Sequence, residues 1–265
     1  MKKSWTLSFV RQWWPAMTLR SVFAFRDYKL REEKGDLIKG HKIKLRMRSP
    51  IRGEITLRET GTDLLTFDEV VVEEVYKSVL PYLHECQHVV DLGANIGLTS
   101  LYFATHYPAC KIVAVEPNSS TYDLLCANLS GLVKAGRCKT LKAAIWGSET
   151  VLIADQPENP EHYSAFATRE ASGPVSSGDE ISGMPLKQIM AEAGFERIDL
   201  LKVDVEGAEV ELFKGDLEWL RSLKCIAIEF HEGSREVIGF DQIMAHYGFR
   251  IVDSNPHTVV AVSNG

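Results

Sequence analysis

"VVDLGANIGLTSLYF", residues 89–103, carries an apolar run into an acid at Asp91, passes two glycines at Gly93 and Gly97, and resumes as an apolar run. A short apolar segment closed by glycine reads as a buried strand, and Leu98–His106 has the length and pattern of a helix. Gly93 and Gly97 let the main chain turn sharply, and let it approach a ligand with no Cβ in the way. The stretch is therefore either a tight strand-to-helix turn or a loop that holds something. Its spacing, D-x-G-x-x-x-G, is not the G-x-G-x-x-G of a dinucleotide loop, which seats a pyrophosphate on the helix N-terminus.

The same unit recurs downstream. "KIVAVEP" (111–117) reads as a strand and residues 119–129 as a helix; "TLKAAIW" (140–146) is a strand. Residues 185–193 are helical, "IDLLKVDV" (198–205) is a strand, residues 208–223 a helix, "CIAIEFH" (225–231) a strand and residues 235–247 a helix. "FRIVDS" and "TVVAVS" close the chain on either side of an Asn255-Pro256 turn. Strands alternating with helices predict a Rossmann-like α/β fold with a mostly parallel seven-stranded sheet. The last two strands lie too close in sequence for a crossover helix, so they pair antiparallel. Upstream, residues 43–47 and the segment after Gly53 read as strands, and residues 67–83 as one helix.

Ligands of such sheets bind beyond the carboxyl ends of the strands. Acids stand at four of those ends here: Asp91, Glu116, Asp204 and Glu229, the last followed by His231. A carboxylate at the position of Glu116 accepts hydrogen bonds from both hydroxyls of a ribose. A ribose acid beside a loop with no pyrophosphate pattern implies a nucleoside with a small charged tail, and S-adenosylmethionine fits. Asp204 emerges from the apolar "LLKV" as a general base, a hydroxyl anchor or an oxygen ligand for Mg2+. Lys202 shares its strand parity, so a plain ion pair competes with those roles. Glu229 and His231 complete either arrangement; for His231 a hydrogen-bonded strand-end imidazole is the competing reading. Glu206 and Glu209 straddle a helix start, and for Glu209 complementing the helix dipole is preferred.

"VVDLGANIGLTSLYFA", "VAVEPN" and above all "IDLLKVDVEGAEVELFKG" resemble the FkbM family of S-adenosylmethionine-dependent methyltransferases. "GTDLLTFDEV" (61–70) is similar to that family's lead-in to its first helix, so the likeness covers about residues 55–263. The resemblance implies a class I methyltransferase sheet with an antiparallel last strand, and O-methylation of a hydroxyl on a sugar, polysaccharide precursor or secondary metabolite. It assigns the cofactor to Asp91, Gly93, Ala94, Asn95, Gly97, Glu116, Pro117 and Asn118. No acid follows the third strand, so a carbonyl near Ala144 is left to read the adenine amine; Trp146 either stacks on the adenine or packs. Catalysis falls to Asp204, Glu229 and His231, with Mg2+ on Asp204 as the metal expectation.

The chain has 265 residues and a net charge of −6, which argues against a nucleic-acid partner. The charge is uneven, because residues 1–60 hold 15 Lys/Arg against 6 Asp/Glu. A basic, aromatic N-terminal extension (1–54) is therefore set apart from a methyltransferase domain (55–265). Trp5, Phe9, Trp13 and Met17 recur every four residues as one helical face, which Pro15 kinks or splits. That stripe reads as core or as a homo-oligomer contact, with a peripheral membrane contact through residues 4–25 as the lesser reading. Five scattered cysteines without C-x-x-C spacing fit reduced thiols in the cytoplasm. His84 and His88 have ligand spacing but no third partner and read as surface. Residues 151–180 form a long irregular insertion whose Tyr163, Ser164 and Phe166 are candidates to cover the cleft. Two other classes remain: an NAD-dependent oxidoreductase, and a non-catalytic methyltransferase-like module docked on a membrane or partner.

Overall fold

The computed structural model describes residues 7–38, 40–154, 167–171, 180–255 and 258–264. Two helices open it, α1 (Leu7–Trp13) and α2 (Leu19–Lys34), and a hairpin follows, β1 (Lys42–Met47) with β2 (Gly53–Arg58). Helix α3 (Gly61–Phe67) leads to the main sheet through a π turn (Asp68–Val72) and a 3-10 turn (Lys77–Tyr82). The sheet then builds from β3 (His88–Leu92), α4 (Leu98–His106), β4 (Lys111–Val115), α5 (Ser119–Lys134) and β5 (Cys138–Leu141). A second sheet takes β6 (Ala144–Ile145), β7 (Thr150–Ala154), β8 (Thr168–Glu170) and β9 (Ile181–Met184). The chain returns through α6 (Leu186–Ala193), β10 (Leu200–Val203), α7 (Glu209–Leu212), β11 (Cys225–Ile228), α8 (Ser234–Ile238), α9 (Phe240–His246), β12 (Phe249–Ser254) and β13 (Val259–Ser263).

The main sheet has seven strands in the order β12-β13-β11-β10-β3-β4-β5. Only β13 runs antiparallel to its neighbours, so the expected mostly parallel sheet with an antiparallel last strand is what the chain forms. β3, β4, β10 and β11 are buried along almost their whole length, as strands covered by helices on both faces must be. From β3 the order runs one way through β4 and β5, and the other way through β10 and β11. That reversal sets the carboxyl ends of β3 and β10 side by side and opens a crevice beyond them.

Four elements depart from the sequence reading. The strand expected at 140–146 breaks after Leu141, and Ala144–Ile145 leave the main sheet to pair with Gly183 and Met184. The helix expected over 67–83 is interrupted because Glu74 takes φ 48°, after three consecutive valines that crowd a helical backbone. The helix expected over 208–223 shrinks to α7 and a 3-10 turn separated by Gly215 at φ 84°. The helix expected over 235–247 becomes α8 and α9, parted by Gly239 at φ 66°. Within the insertion, β7 pairs antiparallel with β8. Tyr163, Ser164 and Phe166 lie outside the described residues.

The aromatic stripe is core. Phe9, Trp13 and Met17 are buried, and Phe25 stacks between Phe9 at 6.1 Å and Phe67 of α3 at 4.8 Å. Tyr28 donates to the carbonyl of Thr60 at 2.7 Å, and Lys29 pairs with Asp68 at 2.8 Å. These contacts brace α3, and α3 walls the crevice. Pro15 sits in the turn that separates α1 from α2. Trp5 lies outside the described residues; of the N-terminal apolar side chains, Trp14, Leu19 and Phe23 remain exposed. All five cysteines are free. No helix among the described residues is long and apolar enough to cross a membrane.

Candidate active site

The cleft beyond the switch point encloses about 290 Å3. One end is built from main chain. Gly93 takes φ 70°, and a Cβ there would lie 1.7 Å from the carbonyl oxygen of Asp204. Glycine is thus demanded by the adjacent strand end as well as by any ligand. Asn95, at φ 48°, donates its amide to Glu116 Oε2 at 3.0 Å and its side-chain Nδ2 to Thr66 of α3 at 3.1 Å. The amide of Asn118 reaches Glu116 Oε1 at 2.9 Å, and the Asn118 side chain caps α5 through the amide of Thr121. Each Glu116 oxygen therefore has one amide partner and one lone pair to spare for a ribose hydroxyl. Burial pushes the Glu116 carboxyl up to about 7, against the pull of those two amides.

Beneath this end lies Lys202, almost fully buried. Its Nζ donates to the carbonyl of Gly93 at 2.6 Å and pairs with Asp91 at 3.3 Å and Asp204 at 3.5 Å. Burial opposes its charge, yet the field of Asp91 and Asp204 drives its pKa above the ordinary lysine value. The ion pair foreseen from strand parity is formed, and it ties the β3 loop to the end of β10.

The opposite end is made of side chains. "DVEGAE" (204–209) turns through two left-handed residues, Glu206 at φ 49° and Gly207 at φ 94°. The turn leaves Asp204 and Glu206 in the cleft and sends Glu209 inward, where it is fully buried. Glu209 Oε1 accepts from the amide of Gly207 at 3.2 Å and holds His231 Nδ1 at 2.8 Å. His231 Nε2 then faces Glu206 at 3.6 Å, and Asp204 and Glu229 at 3.9 Å each. Burial would lower the His231 pKa, but Glu209 and the cleft carboxylates raise it to about 9. Burial pushes Glu206 and Glu229 up to about 7, with Asp204 adding to both shifts.

Gly93, Asn95, Glu116, Pro117, Asn118, Ala144, Asp204, Glu229 and His231 all line the cleft. Three expected cofactor contacts do not. Asp91 is fully buried, accepting from Ser100 at 2.6 Å and pairing with Lys202, so it fixes the loop from below. Ala94 turns inward, its amide bonded to the carbonyl of Val115. Gly97 starts α4 at φ 87°, with Leu129 packed where a Cβ would stand. Trp146 donates to Glu170 at 3.0 Å and is not part of the lining. Sequence reasoning missed the wall made by Thr62, Leu65 and Thr66 of α3 and Glu69 of the π turn, because residues 61–70 were read only as a lead-in to a helix and not as cleft lining. It also assigned Glu209 to the helix dipole; Glu209 does stand in the first turn of α7, and its hydrogen bond to His231 is a second role that the sequence did not show.

The profile of the methyltransferase FkbM domain matches residues 91–251, more than half of the chain. The chain belongs to the FkbM methyltransferase family. It is 33% identical over 191 residues to methyltransferase sdnD of Sordaria araneosa, a match spanning 62% of this chain and 73% of that protein. It is 24% identical over 232 residues to the 31-O-demethyl-FK506 methyltransferase FkbM of Streptomyces tacrolimicus, covering 78% of this chain and 89% of that one. With the hexuronic acid methyltransferase AglP of Haloferax volcanii it shares 28% identity over 168 residues, 61% of this chain and 63% of that protein. Membership makes it a methyltransferase, and the family implies S-adenosylmethionine as the donor. The observed cleft fits that donor: a buried acid with free lone pairs for a ribose, a main-chain loop, and an apolar wall at Ala143, Ala144 and Ile145.

Proposed function

We infer that the protein transfers a methyl group from S-adenosylmethionine to a hydroxyl of a sugar, polysaccharide precursor or secondary metabolite. The observation that carries this is one cleft with the buried, amide-held Glu116 at one end and Asp204, Glu229 and His231 gathered at the other. The names of the FkbM and AglP relatives, one an O-demethyl substrate and one a hexuronic acid, support an oxygen acceptor. When bound, the donor supplies a sulfonium methyl, so the new O–C bond forms as the C–S bond breaks and its electrons return to sulfur.

The protein's part is alignment and removal of one proton. Glu229 takes the hydroxyl proton, since a carboxyl pushed to about 7 is a better base than an ordinary one and is about half ionised at neutral pH. Asp204, held by Lys202, and His231, held by Glu209, bracket the acceptor oxygen. Thr62, Thr66 and Glu69 of the braced wall face the same space and orient the remainder of the acceptor. The test is transfer of a labelled methyl into a panel of sugars, polyols and hydroxylated metabolites. Incorporation that disappears with Glu229→Gln while cofactor affinity stays is expected; incorporation into nitrogen or carbon only would overturn the reading.

A further inference from the structure

We propose that Asp204, Glu206 and His231 form a binding site for a divalent ion of the Mn2+-to-Zn2+ series at the acceptor end of the cleft. The proposal rests on the reading of that end as the acceptor side. Carboxylates alone suggested Mg2+, but the assembled donor set does not suit it. An imidazole nitrogen joins two carboxylate oxygens here, whereas Mg2+ favours oxygen ligands and water in a strict octahedron.

Three features of the geometry carry it. First, one ligand atom from each of Asp204, Glu206 and His231 falls within 4.8 Å of the others. His231 Nε2 is 3.6 Å from Glu206 and 3.9 Å from Asp204, too far for hydrogen bonds. Two ligands each about 2.1 Å from a shared ion stand about 3.0 Å apart at right angles and about 4.2 Å apart in line, which brackets both distances. Second, the ring is already oriented. Fully buried Glu209 holds Nδ1, the carboxylate–imidazole arrangement that aims the other nitrogen of a metal-binding histidine. Third, the ligand side chains are 23–31% exposed and open to the cleft, so three protein ligands leave positions for a substrate oxygen, as in catalytic rather than structural sites. Lys202 reaches Asp204, but it is shared with Asp91 and the Gly93 carbonyl and so does not offset the carboxylates around His231. A dication would acidify an acceptor hydroxyl beside Glu229.

The experiment is titration of the chelator-treated full chain with Co2+, followed by visible absorption, and with Zn2+, Mn2+ and Mg2+ by calorimetry. S-adenosylhomocysteine is titrated separately into the same preparation. One Co2+ or Zn2+ per chain is expected, with Mg2+ at least about 100-fold weaker. His231→Ala and Glu206→Gln should each weaken the ion about 100-fold, and Glu209→Gln about 10-fold, the usual range for a lost orienting partner. His246→Ala, an exposed histidine elsewhere, should change nothing. No binding, or binding indifferent to His231→Ala, overturns the proposal. If S-adenosylhomocysteine still binds in that case, only the metal site fails; if it does not, the methyltransferase reading of the cleft fails as well.

Discussion

The two ends of the cleft are held by different physics. At the cofactor end, Glu116 is fixed by two backbone amides within hydrogen-bond distance, and Gly93 by the carbonyl of Asp204 pressed against it. At the acceptor end, Glu206, Asp204 and Glu229 stand 3.6–3.9 Å from His231, with Lys202 behind Asp204 and Glu209 behind His231. Short main-chain bonds make a rigid seat, which suits a donor with one fixed shape. Like charges held apart make a site whose proton and ion content can change, which suits chemistry. Substitutions at the first end should therefore move binding and folding, and substitutions at the second should move turnover.

The largest expected effect is at the acceptor end. Glu229→Gln should lower kcat about 1,000-fold, within the span of general-base removal, while cofactor affinity stays within about threefold. An equal loss in both would erase the contrast. Next, Gly93→Ala should cost about 3 kcal/mol of stability or more, read from urea unfolding, because both the positive φ and the Asp204 carbonyl oppose a Cβ. Gly97→Ala also opposes a positive φ, but it meets the movable side chain of Leu129 instead of a carbonyl and should cost less, about 1–2 kcal/mol.

Smaller effects follow pH. Glu116, Glu206 and Glu229 are raised from 4.5 to about 7, so the folded chain holds their protons more tightly than the unfolded chain does. Their contribution to stability is complete below about 4.5 and is lost as pH rises through about 7. Glu116→Gln should therefore lose about 2 kcal/mol less than the parent between pH 5.5 and 8.5, measured without cofactor. Equal losses would show that Glu116 is ionised throughout. In the same window kcat should rise with pH and level off above about 7, as Glu229 ionises. A profile that is flat from pH 5.5 would remove Glu229 as the base.

Legibility in the sequence follows the same division. The seven strands and the acid Glu116 at the end of β4 could be read because each rests on local pattern, an apolar run, a glycine, an acid at its end, whereas the end of β5 at Leu141 could not. Asp91 was misplaced because a strand-end acid looks alike from either side; only the positions of Ser100 and Lys202 show that it points inward. The bond from Glu209 to His231 was missed because that partner lies one strand further along, across a turn whose left-handed residues no propensity announces. The wall from α3 was invisible because it is braced by aromatic contacts to Trp13 and Phe25, far away in sequence. Helix lengths failed where single residues, Glu74, Gly215 and Gly239, adopt positive φ inside periodic segments.

Calorimetry of S-adenosylhomocysteine against the parent, Glu116→Ala and Glu206→Gln tests the central claim most directly. A carboxylate bonded to two ribose hydroxyls predicts one site in the parent, affinity about 100-fold weaker in Glu116→Ala, and a change under about threefold in Glu206→Gln. Undiminished binding by Glu116→Ala, or none by the parent, would contradict it.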